Sequence, residues 1–217
     1  MVPTPEPRFI VLEGIDGCGS TTAAQRLVDA LVARGEDARL TCEPSDGPIG
    51  KLIRQALRRE LPLTEAGAPR EPSWGTMSLL FAADRLDHVD SVIFPALAQG
   101  ATVVSDRYDL SSLAYQSATS PDAAGSVPWI RELNRRAMRP GLTIVIDVPA
   151  EVAAERRGRR GGREELFEAS AVQRRLAAIY ASAEELVPGD RVVHIPGEGG
   201  VEETSELVLE AVLAART

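Results

Sequence analysis

The chain has almost no lysine. Among its 217 residues Lys51 stands alone, and every other member of the 24 basic residues is an arginine. Wherever an anion has to be held, the cation is therefore Lys51 or an arginine. Positive charge is also outnumbered: the formal net charge is −8, which argues against a broad footprint on a nucleic-acid backbone. Cysteine is confined to Cys18 and Cys42, too few and too far apart for a disulfide framework, as suits a reducing cytoplasm. With His88 and His194 they form no metal-ligand spacing. No apolar run approaches the length of a membrane span, and repeats and low-complexity tracts are missing. Residues 1–7 lack the basic and apolar regions of a signal peptide and read as a loose tail. Length and composition suit one globular domain, expected over residues 8–215.

What is present centres on residues 9–22, FIVLEGIDGCGSTT. Residues 9–12 form a β-branched and aromatic run that reads as a buried parallel strand. From Gly14, the spacing Gly14-x4-Gly19-Ser20-Thr21 follows that of a phosphate-binding loop, G-x-x-x-x-G-K-[ST]. Such a loop turns consecutive backbone N–H groups toward a phosphate, and the following helix adds its positive end. Gly14, Ile15, Asp16, Gly17, Cys18, Gly19, Ser20, Thr21 and Thr22 are the expected phosphate site. Thr21 stands where a hydroxyl ligand of Mg2+ belongs, so any metal is expected to arrive with phosphate groups. The lysine of the pattern is absent, replaced by Ser20. A helix with Leu27, Val28, Leu31 and Val32 on one face follows, and Gly35 ends it. This order of strand, glycine loop and helix favours a phosphate loop over an ordinary glycine-rich turn. Cys18 keeps two readings: a thiol activated near a helix N-terminus, or a small residue filling the loop.

Further strands are expected at 38–42, 101–105, 142–148 and 191–195. A helix over 49–59 should bury Ile49, Leu52, Ile53 and Leu57, and residues 61–72 should be irregular. A long helix should run from the N-cap Ser73 to residue 98, interrupted near its end by Pro95, and a closing helix should span 202–215. Strands alternating with helices predict a parallel sheet covered on both faces, with ligands beyond the carboxyl ends of the strands. Four polar clusters fall at those ends and are expected in one cleft: the glycine loop, residues 43–45, residues 106–108 and Asp147. At 156–163 five arginines lie among three glycines, the beginning of a lid expected at about 156–168 that closes guanidinium groups over phosphates.

These blocks resemble, in order from about residue 8 to 215, the thymidylate kinase family. The resemblance is carried by the loop itself, Glu43-Pro44, LLFAADR at 79–85, VSDRY at 104–108, SSLAYQ at 111–116, IDVP at 146–149 and the arginine-rich segment. It implies a three-layer α/β/α sandwich with a five-stranded parallel sheet of the P-loop nucleotide-kinase type. It also implies transfer of the γ-phosphoryl group of ATP to dTMP with Mg2+, and a homodimer. By the same resemblance Phe81 would stack on the base, Arg85 would hydrogen-bond it, and Arg107 would clamp the acceptor phosphate. Asp106 would join Thr21 at Mg2+, and Asp16 would meet the acceptor's sugar and phosphate. Glu43, Ser112, Tyr115 and Gln116 would complete the pocket, with Tyr180 over the sugar. Three departures stand out: Ser20, Cys42 where many members have arginine, and the variant segment 164–168. Arg156 and Arg160, four apart and so on one helix face, are the expected substitutes for the missing lysine. A kinase for another pyrimidine deoxynucleotide and a non-catalytic nucleotide-binding protein are the competing readings.

Overall fold

A computed structural model of the chain describes residues 7–65, 68–122, 125–160 and 170–217, with the side chains of 65, 68, 69, 160 and 170 outside the description. Every residue of β1 (Phe9–Glu13) is buried, as a strand covered on both faces requires. After it come α1 (Ser20–Ala33), β2 (Ala38–Cys42) and α2 (Pro48–Leu57). The region 61–72 is not wholly irregular, because β3 (Thr64–Glu65) and β4 (Ala68–Pro69) pair as a short antiparallel hairpin. The long helix begins where expected, with the Ser73 hydroxyl accepting from the N–H of Thr76 at 3.1 Å. It is divided into α3 (Trp74–His88), a π-helical turn (Val89–Ile93) and α4 (Phe94–Ala98). The cause is Pro95, whose ring has no N–H and crowds the carbonyl four residues back; widening the preceding turn relieves this.

The remaining elements are β5 (Thr102–Asp106), α5 (Asp109–Thr119), α6 (Ser126–Leu133), β6 (Leu142–Asp147), α7 (Ala150–Arg160), α8 (Ser170–Tyr180), α9 (Ala183–Leu186), β7 (Val192–Pro196) and α10 (Val201–Arg216). Five strands form one all-parallel sheet in the order β2-β5-β1-β6-β7. This is the α/β sandwich expected from the alternation of elements. Side chains of β1 divide by parity: Ile10 and Leu12 join a core with Leu27, Leu31, Val208 and Val212, while Phe9 and Val11 join Val89, Ile93 and Tyr108. With β1 central, its carboxyl end opens onto the ends of β5 and β2, and the site is built there.

Two helix faces differ from the periodic reading. Val32 is 52% exposed, and α1 instead buries Ala23, Ala24, Leu27, Val28 and Leu31. Leu52 is 39% exposed, whereas Ile53 and Ala56 carry the inner face of α2. α1 is covered by the sheet and by α10, and α2 by α3, and in each helix that leucine or valine lies outside the covered face. Replacing fully buried Leu31 by alanine should therefore reduce unfolding free energy by about 2–5 kcal/mol. Val32→Ala should stay within about 0.5 kcal/mol. Urea midpoints compare the two, and equal losses would return Val32 to the core.

Candidate functional site

Two cavities meet beyond the carboxyl edge of the sheet. The smaller, of about 150 Å3, has Phe81 and Arg85 of α3, Tyr115 and Gln116 of α5, and Glu43 in its walls. The larger, of about 500 Å3, runs along residues 16–23 and reaches the turn before α10 and the guanidinium-bearing face of α7. Among the described residues Asp16 and Arg107 alone line both cavities.

The glycine loop makes this possible by close approach. A Cβ on Gly17 would sit 2.5 Å from the carbonyl oxygen of Ala153, and its φ of +93° lies in the region that favours glycine. The loop thus rests directly on α7. Gly14 and Ile15 lie behind the larger cavity: the Gly14 carbonyl accepts from Arg107 at 3.0 Å, and the Ile15 side chain is in the core. The walls of that cavity come from Asp16 and the residues from Gly17 to Thr22. Cys18 fills the loop, 2% exposed, and burial pushes its thiol pKa up, so the activated reading of Cys18 fails.

Asp16 is held from two sides. Its Oδ1 accepts from Arg107 Nη2 at 2.6 Å and its Oδ2 from Gln173 Nε2 at 2.9 Å, while its own N–H donates to Gln173 Oε1 at 3.2 Å. Gln173, fully buried on α8, was missed from sequence; an amide within SAVQRRLAAIY is only a faint signal. Arg107 has φ +73°, unusual for a residue with a side chain, and its guanidinium lies 5.0 Å from the centre of the Tyr115 ring.

Glu13, also missed, ends β1 with no exposure. Its Oε1 accepts from the N–H groups of Tyr108 (2.8 Å) and Ser111 (3.1 Å), and its Oε2 accepts from the hydroxyls of Ser111 (2.5 Å) and Tyr180 (3.0 Å). This fixes the start of α5 and places Tyr180 one layer behind the pocket, a correction to its expected position over a sugar. Tyr180 is 2% exposed and packs edge-on against Tyr115.

Arg85 is 1% exposed, among the largest fully buried side chains in the protein. Nη2 donates to Glu43 Oε2 at 2.7 Å, to Ser112 Oγ at 3.0 Å and to the Tyr108 carbonyl at 3.0 Å, and Nη1 donates to Asn134. Its Nε and both amide atoms of buried Gln116 have no partner among the described residues. Phe81 is half-buried in the same wall.

Thr21 Oγ1 donates to Asp106 Oδ2 at 2.5 Å, and Asp106 Oδ1 is buried without a partner among the described residues. That orphaned oxygen beside a hydroxyl suits a hard cation that keeps most of its shell as water and phosphate oxygen. Among the described residues no group of three or more His, Cys, Asp or Glu could hold a metal unaided.

Position 20 is a buried serine, and α7 brings an arginine to the same cavity. Arg156 lines the larger cavity and donates to the carbonyls of Cys18 (3.3 Å), Glu198 (3.2 Å) and Gly199 (3.1 Å). Arg157, not singled out in the sequence, donates to the Asp16 carbonyl. The Arg160 side chain and most of the expected lid lie outside the described residues. Beside Cys42, Arg54 of α2 donates to the Pro44 and Ser45 carbonyls, each at 2.5 Å, and lies 3.5 Å from the thiol. Asp147 does not join the cleft. It is turned to His194, with Oδ2 2.8 Å from Nδ1, so three of the four expected clusters converge.

A family model described as thymidylate kinase matches residues 12–208. A "Probable thymidylate kinase" of Pyrococcus horikoshii is 39% identical over 86% of this chain and 87% of that protein. A second protein of that name, from Pyrococcus abyssi, is 37% identical over 94% of this chain and 95% of its own length. A "Thymidylate kinase" of Pelobacter propionicus is 37% identical over 96% and 94% respectively.

Burial pushes the Glu13 pKa up from 4.5 to about 7, against the pull of Arg107 and the hydrogen bonds of Ser111 and Tyr108. The folded state therefore holds this proton more tightly than the unfolded chain. The resulting stabilisation is full below about pH 4.5 and is lost as pH rises through about 7. The stability of the parent protein relative to Glu13→Gln should fall between those values and level off above them. Urea titrations from pH 5 to 8 test this, and a gap independent of pH would return Glu13 to an ordinary pKa.

Proposed function

The chain belongs to the thymidylate kinase family, and from that membership we infer that it transfers the γ-phosphoryl group of ATP to dTMP, giving ADP and dTDP. One observation carries the division of labour: among the described residues only Asp16 and Arg107 line both cavities. In our reading ATP occupies the larger cavity, dTMP the smaller, and the phosphates meet over that pair. Phosphoryl transfer asks a protein for positioning and for charge where oxyanions crowd together, rather than for a strong nucleophile.

The backbone N–H groups of the loop and the start of α1 cradle the ATP phosphates. Arg107 clamps the acceptor phosphate, and Asp16 orients both Arg107 and the sugar. Phe81 stacks on the base, while the Arg85 Nε–H and the Gln116 amide offer hydrogen bonds to its edge. Ser112 and Glu43 hold Arg85 for that purpose, and Tyr115 supports Arg107. Thr21 and Asp106 are the residues that would hold Mg2+, which when bound neutralises charge on the phosphate oxygens. We take residues 8–215 as one catalytic domain. The free cysteines suit the cytoplasm, which we take as its compartment. A coupled ADP-release assay with ATP, Mg2+ and dTMP, dUMP, dCMP or dGMP tests the acceptor. The highest kcat/KM is expected for dTMP, and equal or greater turnover of dGMP would overturn the assignment.

Arg156 takes over the charge that Ser20 lacks. Arg156→Ala should lower kcat at least about tenfold, equivalent to about 1.4 kcal/mol of transition-state stabilisation. Ser20→Lys should partly restore the variant, because both cations act on the same phosphate charge. A double-mutant cycle on kcat reads the coupling, and strict additivity would refute the substitution.

The homodimer is proposed through the outer face of α3, the π-helical turn and α4. Leu79, Val92 and Phe94 stand 52%, 44% and 58% exposed there, an apolar run suited to a second copy. Light scattering should give a dimer mass, and Phe94→Glu should give a monomer; a monomeric parent protein would exclude this face.

A further inference from the structure

Behind the smaller cavity lies a histidine that never reaches it. His88 ends α3, 1% exposed, with both ring nitrogens engaged. Nε2 is 2.6 Å from the Thr41 hydroxyl, and Nδ1 is 3.2 Å from Glu43 Oε1. Thr41 and Glu43 are two apart in extended chain and so face the same way. Arg85 and His88 are three apart on α3 and share a face. Two elements thus each present two groups, joined as Thr41–His88–Glu43–Arg85. Only the last two of the four line the cavity.

We propose that His88 is a positioning residue for the acceptor nucleotide. It acts through Glu43, whose two oxygens it and Arg85 divide, and so keeps the Arg85 guanidinium aimed at the bound base. The inference rests on the smaller cavity being the acceptor site. Facing a carboxylate that accepts, Nδ1 is the ring nitrogen that donates to Glu43, and Nε2 pairs with the Thr41 hydroxyl. Remove the Nδ1–H, and Oε1 is left buried without a donor. Glu43 then turns to find one, and Arg85, tied to it at 2.7 Å, leaves its place. Nothing in this chain of contacts touches residues 16–23, so ATP binding stays as it was. Asp84, one turn earlier, holds the Ser45 N–H (2.7 Å) and hydroxyl (2.6 Å), so the loop itself survives the loss of His88.

The test uses substitutions that separate the two nitrogens. Asparagine can place an amide N–H near the Nδ1 position, whereas glutamine reaches toward Nε2 and leaves Glu43 without a donor. His88→Gln and His88→Ala should raise the KM for dTMP about tenfold, the factor carried by one lost hydrogen bond to a charged group. His88→Asn should stay within about threefold of the parent protein, and kcat and the KM for ATP should change little in all three. Thr41→Val, which removes only the outer anchor of the ring, should raise the dTMP KM by a smaller factor and remains informative if the His88 variants do not fold. Equal KM increases in the Asn and Gln variants, tracking a common fall in Tm, would reduce His88 to a packing residue and overturn the proposal. An unchanged dTMP KM in Gln and Ala would also overturn it. Phe81→Ala is the control for the premise: an unchanged dTMP KM there would show that the acceptor lies elsewhere, and both readings would fall together.

Discussion

Two guanidinium groups stand at the carboxyl edge of the sheet, Arg85 fully buried and Arg107 partly so, and each is neutralised by a carboxylate brought from another element. An arginine cannot shed its proton to escape burial, and an unpaired buried charge is strongly destabilising. Glu43 arrives from the end of β2 and Asp16 from the glycine loop, so both pairs close only when these segments dock on α3 and on the turn between β5 and α5. Gln173 then ties Asp16 to α8, 157 residues along the chain. The positions of β2, α3, α5 and α8 around the central strand are thereby fixed by charge as much as by apolar contact.

The parts legible in the sequence were those written locally. Parallel strands covered on both faces appear as continuous apolar runs, and the loop is marked by glycine spacing, so strands and glycine loop could be located within a residue or two. Helix α5 had no such mark. Its sequence DLSSLAYQSAT is buried over most of its length, and polar residues inside the protein erase the contrast on which periodicity depends. Glu13, Asn134, Gln173 and Arg54 went unnoticed for a related reason: each acts through a partner far away in sequence or through a carbonyl, and neither leaves a pattern. Asp147 shows the reverse case. It stands at a strand end as expected, but His194 on the neighbouring strand takes its carboxylate out of the cleft.

The loss of lysine at position 20 changes the kind of cation available as well as its origin. A lysine is a compact charge on a flexible stem, whereas a guanidinium has fixed directions for its donors. Arg156 is already committed to carbonyls of the loop and of the turn before α10. On the reading proposed above, its charge is supplied from a set position and links two backbone segments around the donor phosphates. Arg157 donates to the Asp16 carbonyl, so a second guanidinium of α7 is committed to the glycine loop.

The enclosed layer of Arg85, Glu43 and His88 has a consequence for how this protein would respond to selection. Replacing a buried ionic cluster by apolar groups of matching volume is often neutral or stabilising, whereas breaking it one member at a time is harmful. A population screened for heat resistance alone would thus face a barrier of poor single changes, with a better-packed but nucleotide-blind protein beyond it. On the reading proposed above, charge in that layer serves a bound ligand, in a place where stability alone would favour leucine and methionine.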